Sequence, residues 1–250
     1  MNKLIYNLIV AVMLLLPVIA EAQKPISRSS KSQKEQISNT RTTKRKTGTI
    51  LNRSTKESDL TPSEMYDKGC AAYELEDFPE AEKWYRKAAE QGHPAAQYYL
   101  GWMYYHGEGL NQDYSKAVEW YKKSAEQGDP DAQCNLGLMY KRGHGVAQDY
   151  SEALKWFNNA AAKESRPAQF NLGKMYYYGE GVKKDYSLAA VWFRKAAKLD
   201  HTKAKYFLGL MYLFGEGVKW DIPKAKTLFE EAAAQGDTDA MERLKELGAD

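Results

Sequence analysis

From residue 63 onward, apolar positions fall at helical spacing in short blocks separated by Gly, Asp and Pro. In one block Ala96, Leu100, Met103 and Tyr104 share a face. Gly107-Glu108-Gly109 stops it, because glycine accepts the left-handed conformation that closes a helix. Asp113 then reads as the N-cap of a second block carrying Ala117, Trp120, Tyr121 and Ala125. Gln127-Gly128-Asp129-Pro130 is the next break, and Pro130 suits the first turn of the helix that follows. The pattern predicts a helix from about Pro94 to Tyr105 and another after Asp113. Gly101 and Ala117 are small where the two must cross closely.

The two-helix block recurs. Ala96, Ala132, Ala168, Ala204 and Ala240 are spaced by 36 residues, as are Leu100, Leu136, Leu172, Leu208 and Leu244. The paired glycines (Gly107/Gly109, Gly143/Gly145, Gly179/Gly181, Gly215/Gly217) keep the same register. So do Asp113, Asp149, Asp185 and Asp221. Trp84, Trp120, Trp156 and Trp192 each precede an aromatic residue, and Leu228-Phe229 replaces that pair in the last full unit. Such a period marks a solenoid, in which each unit buries its apolar face on its neighbours.

The pattern Ala-x-x-x-Leu-Gly-x-Met-Tyr, then Gly-x-Gly, then Asp-Tyr-x-x-Ala-x-x-Trp-Phe/Tyr-x-x-Ala-Ala, resembles the Sel1-like repeat family. That family is related to tetratricopeptide repeats, with a longer loop between its helices. The resemblance implies an all-α fold, an α/α right-handed superhelical solenoid. Four units span 96–131, 132–167, 168–203 and 204–239. Residues 63–95 form a shorter first unit closer to a tetratricopeptide repeat. Residues 240–250 form a capping helix whose charged Glu242, Arg243, Lys245 and Glu246 shield the last apolar face.

The N-terminus has a different character. Met1-Asn2-Lys3 precedes an apolar run from Leu4 to Ala20, and Ala20-Glu21-Ala22 is a small-residue cleavage sequence. Residues 1–22 therefore read as a secretory signal peptide, and the protein as exported, periplasmic or secreted, with no integral span after cleavage. Residues 23–62 carry ten Lys/Arg against three acids. Such a segment cannot bury enough surface to offset its ordering entropy, so it reads as a disordered basic linker. Its charge of +7 leaves −4 on residues 63–250, out of +3 for the whole chain. The basic run Thr43-Lys44-Arg45-Lys46 allows weak contact with an anionic surface. Export argues against nucleic acid as a partner.

No catalytic constellation emerges, and none of the residues calls for a metal or cofactor. His106 and His144 read as loop histidines in adjacent units. The recurrent aspartates are helix caps. Cys70 and Cys134 lie about two repeats apart, too far for a disulfide. Some cysteine-stapled secreted members of the Sel1-like family are linked to β-lactam binding or hydrolysis. A binder or hydrolase of β-lactams or cell-wall muropeptides is thus the alternative to a non-enzymatic scaffold, but the paired cysteines are missing here.

Positions that differ from unit to unit can serve a partner. On a helical wheel Tyr98, Trp102 and Tyr105 lie opposite the Ala96/Leu100/Met103 face. The corresponding positions in later units include Lys141, Phe170, Lys174, Tyr177 and Tyr206, and the residue after each stripe adds Arg142, Tyr178 and Phe214. First helices line the concave side of tetratricopeptide-like solenoids. The resemblance therefore implies an aromatic, partly basic groove that binds a protein or peptide segment.

Overall fold

The computed structural model describes residues 59–248. The expected signal peptide, and the expected linker up to residue 58, lie outside them. Eleven helices follow one another among the described residues, with no strand. They are α1 Pro62–Glu74, α2 Phe78–Glu90, α3 Pro94–His106, α4 Tyr114–Glu126, α5 Pro130–Arg142, α6 Tyr150–Ala161, α7 Arg166–Tyr178, α8 Tyr186–Lys198, α9 Thr202–Phe214, α10 Ile222–Ala234 and α11 Thr238–Leu247. Each odd helix packs on the even helix after it, and each pair on the next. The chain is thus an α/α solenoid of five pairs closed by α11. None of these helices is long and apolar enough to cross a membrane.

The linker ends earlier than its composition predicts. Leu60 packs against the core, and Thr61 caps α1 in a capping box with Glu64. A Thr-x-x-Glu sequence satisfies two orphan donors of a helix start, which outweighs the polar character of the segment.

The periodic glycines have two different jobs. Gly69, Gly101, Gly137, Gly173 and Gly209 sit where a first helix meets the ring of its own second helix. A Cβ on any of them would lie 2.5–2.9 Å from Tyr85, Tyr121, Phe157, Phe193 or Phe229. These five rings are almost wholly buried and centre each unit. The second glycine of each Gly-x-Gly works between units. Gly109 is pressed against Phe78, Gly145 against Tyr114, Gly181 against Tyr150 and Gly217 against Tyr186. The loop of one unit therefore rests on the second-helix start of the unit before it. Together these loops form a continuous edge along the solenoid.

The recurrent aspartates are caps, as their position predicts. Asp113, Asp149, Asp185 and Asp221 each accept backbone N–H groups at the start of the second helix. Each also donates its own N–H to the carbonyl of Tyr104, Tyr140, Tyr176 or Tyr212. Such a side-chain cap is worth about 1 kcal/mol. The second-helix tryptophans lie beneath lysines: Lys123 Nζ stands 3.9 Å from the Trp120 ring and Lys195 Nζ 4.3 Å from that of Trp192. The ammonium groups thus lie over the indole faces, in the geometry of a cation–π contact.

Candidate functional site

The first-helix positions predicted to line a groove divide into three groups. The first group is core. Tyr98, Trp102, Tyr105 and Tyr206 are 2%, 9%, 6% and 7% exposed. The expectation that core packing leaves them available is corrected. A helical wheel sees one helix with one buried face, whereas α3 is buried continuously from Ala96 to Tyr105. Its own second helix and both neighbouring units enclose it, and a helix apolar all round is a buried one. Tyr98 packs on Tyr121 of its own unit, and Tyr105 on Tyr114 and His144. Half-buried Phe170 also belongs to the packing, with ring centroids 4.5 Å from His201 and 5.7 Å from Phe207.

The second group ties consecutive units together. Tyr177 donates its hydroxyl to Glu216 at 2.7 Å, and Lys141 Nζ meets Glu180 at 2.7 Å. Tyr73 donates to Glu108 in the same way. The Tyr105 hydroxyl lies 3.4 Å from His144 Nδ1, with Arg142 at 3.4 Å. In every case a residue in the last turn of a first helix meets the middle residue of the next Gly-x-Gly. Burial and then the Glu216 carboxylate push the Tyr177 phenol well above its ordinary pKa, so it remains a donor.

The sequence reading named Tyr105, Lys141 and Tyr177 as groove residues and missed these pairings, which turn them to joining units. Their signal is present in the repeats: Tyr73/Glu108, Tyr105/His144, Lys141/Glu180 and Tyr177/Glu216 keep a donor at one position and an acceptor at the other. His144 also stacks on Tyr114 at 4.8 Å, while His106 packs on Trp102 at 4.0 Å. Both are half-buried, and burial lowers their pKa values. The expectation of loop histidines is corrected: both rings sit in aromatic packing, and His106 belongs to the last turn of α3.

The third group stays accessible. Arg142, Lys174, Tyr178 and Phe214 are half-buried at positions where the units diverge. Lys174 Nζ stands 5.7 Å from the Phe170 ring, and Tyr178 meets Tyr177 edge-on at 5.0 Å. These four present two cations, a phenol and a phenyl ring, a set suited to reversible recognition of a chain segment. Cys70 and Cys134 are free thiols, half-buried and buried. Among the described residues no group of three or more His, Cys, Asp and Glu side chains is placed to hold a metal ion.

The Sel1 repeat profile matches residues 65–93, 94–129, 130–165, 166–201 and 202–237. The chain belongs to the Sel1 repeat family. Its five Sel1 repeats correspond to the five helix pairs, and the short first unit is counted among them. Sel1 repeats generally mediate protein interactions, and such proteins are generally non-catalytic scaffolds. A solved Sel1 repeat protein from Oxalobacter formigenes is 37% identical, with a TM-score of 0.66, over 74% of this chain and 55% of that one. A protective antigen of uropathogenic Escherichia coli strains with the same fold is 31% identical, with a TM-score of 0.57, over 84% of this chain and 50% of that one. The Sel1 chain described here thus spans about half the length of these two. A Sel1 repeat protein from Klebsiella pneumoniae shares the fold at 24% identity and a TM-score of 0.50. No curated protein matches the chain.

Proposed function

We propose that the chain is an exported scaffold that binds a segment of another protein along its first helices. The observation that carries this reading is the accessibility of Arg142, Lys174, Tyr178 and Phe214 at positions where the repeat units diverge. The glycines, capping aspartates and central rings that build each unit recur from unit to unit, whereas these four residues do not. Arginine and aromatic residues dominate binding energy at protein interfaces. Export rests on the basic start, apolar run and Ala20-Glu21-Ala22 sequence.

The test uses cross-linked pull-downs from envelope and secreted fractions, with wild type beside Lys174→Ala/Tyr178→Ala. Trp102 is unsuitable for this purpose because its loss would damage the core. A protein captured by wild type and lost in the double variant, with helicity unchanged, supports the first-helix face. Equal capture by both proteins overturns it. N-terminal sequencing of the native protein checks export separately, since cleavage leaves Gln23 as the first residue.

A further inference from the structure

We infer that the loop edge of the solenoid is a pairing surface for a second copy of this chain, aligned antiparallel. This edge consists of the loops joining each first helix to its second. It is distinct from the first-helix positions proposed to bind a partner.

The loop residues that vary between units change in charge along this edge. At the first-unit end the edge reads Glu74, Leu75, Glu76 and Asp77, all exposed. In the second and third units the two residues before the capping Asp are Asn111-Gln112 and Ala147-Gln148, which are neutral. In the fourth and fifth they are Lys183-Lys184 and Lys219-Trp220, again all exposed. The contacts of Gly109, Gly145, Gly181 and Gly217 with the preceding unit make these loops one continuous surface. Two acids that cap no helix, Glu74 and Glu76, therefore stand at one end of it and three lysines at the other, with neutral exposed residues at the matching positions between, while Asp77 caps α2. Of the other acids of the basic end, Asp185 and Asp221 are turned onto their own helix starts as caps, Glu180 pairs with Lys141, and Glu216 accepts from Tyr177.

The exposed apolar groups follow the same division. Leu75 is 81% exposed and Trp220 is 61% exposed, the two most exposed large apolar side chains among the described residues. One belongs to the acidic end and the other to the basic end. A depression of about 630 Å³ opens at the basic end, lined by Tyr176, Lys184, Tyr186 and Gly217 among others.

A surface acidic at one end, neutral in the middle and basic at the other is complementary to itself when reversed. A two-fold axis through the third unit would set the first unit of one copy against the fifth of the other, so that Glu74 and Glu76 meet Lys219, twice. Leu75 would meet Trp220, also twice. Two-fold pairing is the commonest assembly of identical chains, and it requires this self-complementarity. The charges lie in solvent, so the pairing is salt-sensitive.

The test is sedimentation equilibrium of the full chain in low and high salt. Wild type, Glu74→Lys/Glu76→Lys, Lys219→Glu and Trp220→Ala are compared. The substituted residues are all exposed, and circular dichroism checks that each variant is folded. Wild type should equilibrate between monomer and dimer in low salt and shift toward monomer in high salt. Each charge-reversed variant should be monomeric alone, while their equimolar mixture should dimerise, because both contacts are then opposite in sign. Trp220→Ala should weaken pairing at least ten-fold. A wild type monomeric at every concentration overturns the inference, as does a mixture that stays monomeric. Open-ended oligomers growing with concentration would mean head-to-tail contact and would also overturn it.

Discussion

The hydroxyl of Tyr177 donates to the Glu216 carboxylate at 2.7 Å, joining the fourth unit to the loop of the fifth. The bond is part-buried, so it is stronger than an exposed pair and costly to leave half-made. Tyr177→Phe removes the donor and keeps the ring packing. It should cost about 1–2 kcal/mol in urea denaturation. Glu216→Gln keeps an acceptor and should cost less. Equal losses from the two substitutions would mean that the charge of Glu216 is the larger part of the interaction.

The second glycine of each loop meets a stricter requirement than backbone conformation alone. Gly181 has φ +69° and lies against Tyr150, whereas Gly236 has φ +87° with nothing within 4 Å of the place a Cβ would occupy. Gly236→Ala should lose about 1 kcal/mol from the left-handed backbone. Gly181→Ala adds a collision between units and should lose roughly 3 kcal/mol or more. Thermal or urea denaturation of the two variants side by side reads the difference. Similar losses would show that the loop can lift from the preceding unit.

Much of this architecture was legible because a repeat tests itself. The Asp113, Asp149, Asp185 and Asp221 caps, the closing glycines and the small Gly101 all follow from local backbone chemistry repeated at one spacing. The burial of Tyr98, Trp102 and Tyr105 was not legible, since it depends on three neighbours enclosing one helix. A wheel drawn on that helix alone assigns their face to solvent. The pairing of Tyr177 with Glu216 falls between these cases. Its donor and acceptor stand 39 residues apart, so it appears only when variation in one unit is compared with variation in the next.

The junction between the third and fourth units combines a strained turn with an unmade cap. Glu164 holds φ +59°, where Gly92, Gly128 and Gly236 occupy the corresponding turns of other units. Ser165 caps α7 without a side-chain hydrogen bond, and its buried Oγ has no partner. Asp129 and Asp237 make that bond at the matching positions. Glu164→Gly should stabilise the protein by about 1 kcal/mol through relief of left-handed strain. Ser165→Asp should contribute about 1 kcal/mol through the restored cap. Denaturation midpoints check both. A loss of stability on Glu164→Gly would mean that the Glu164 side chain makes a contact worth more than the strain.

His201 is a cap that acid should switch off. Its Nδ1 accepts the backbone N–H of Ala204 at 3.2 Å, and its ring stacks on Phe170 at 4.5 Å. Burial lowers its pKa to about 4, and Arg166 adds to the effect. An unfolded histidine titrates near about 6.5. Between these values the unfolded chain takes up a proton that the folded chain refuses. The histidine's contribution to stability is therefore complete above about pH 6.5 and declines as the pH falls toward 4. At about 1.4 kcal/mol per pKa unit the loss is at most about 3.5 kcal/mol. Nearby carboxylates such as Asp200, whose pKa is lowered chiefly by its hydrogen bond from Lys205, also titrate toward the acid end. The informative quantity is thus the difference from a variant. His201→Asn retains a capping oxygen without a titrating ring. Its urea midpoint should fall less than that of wild type between pH 7 and pH 4.5. Parallel curves for the two proteins would show that His201 titrates alike in the folded and unfolded chain.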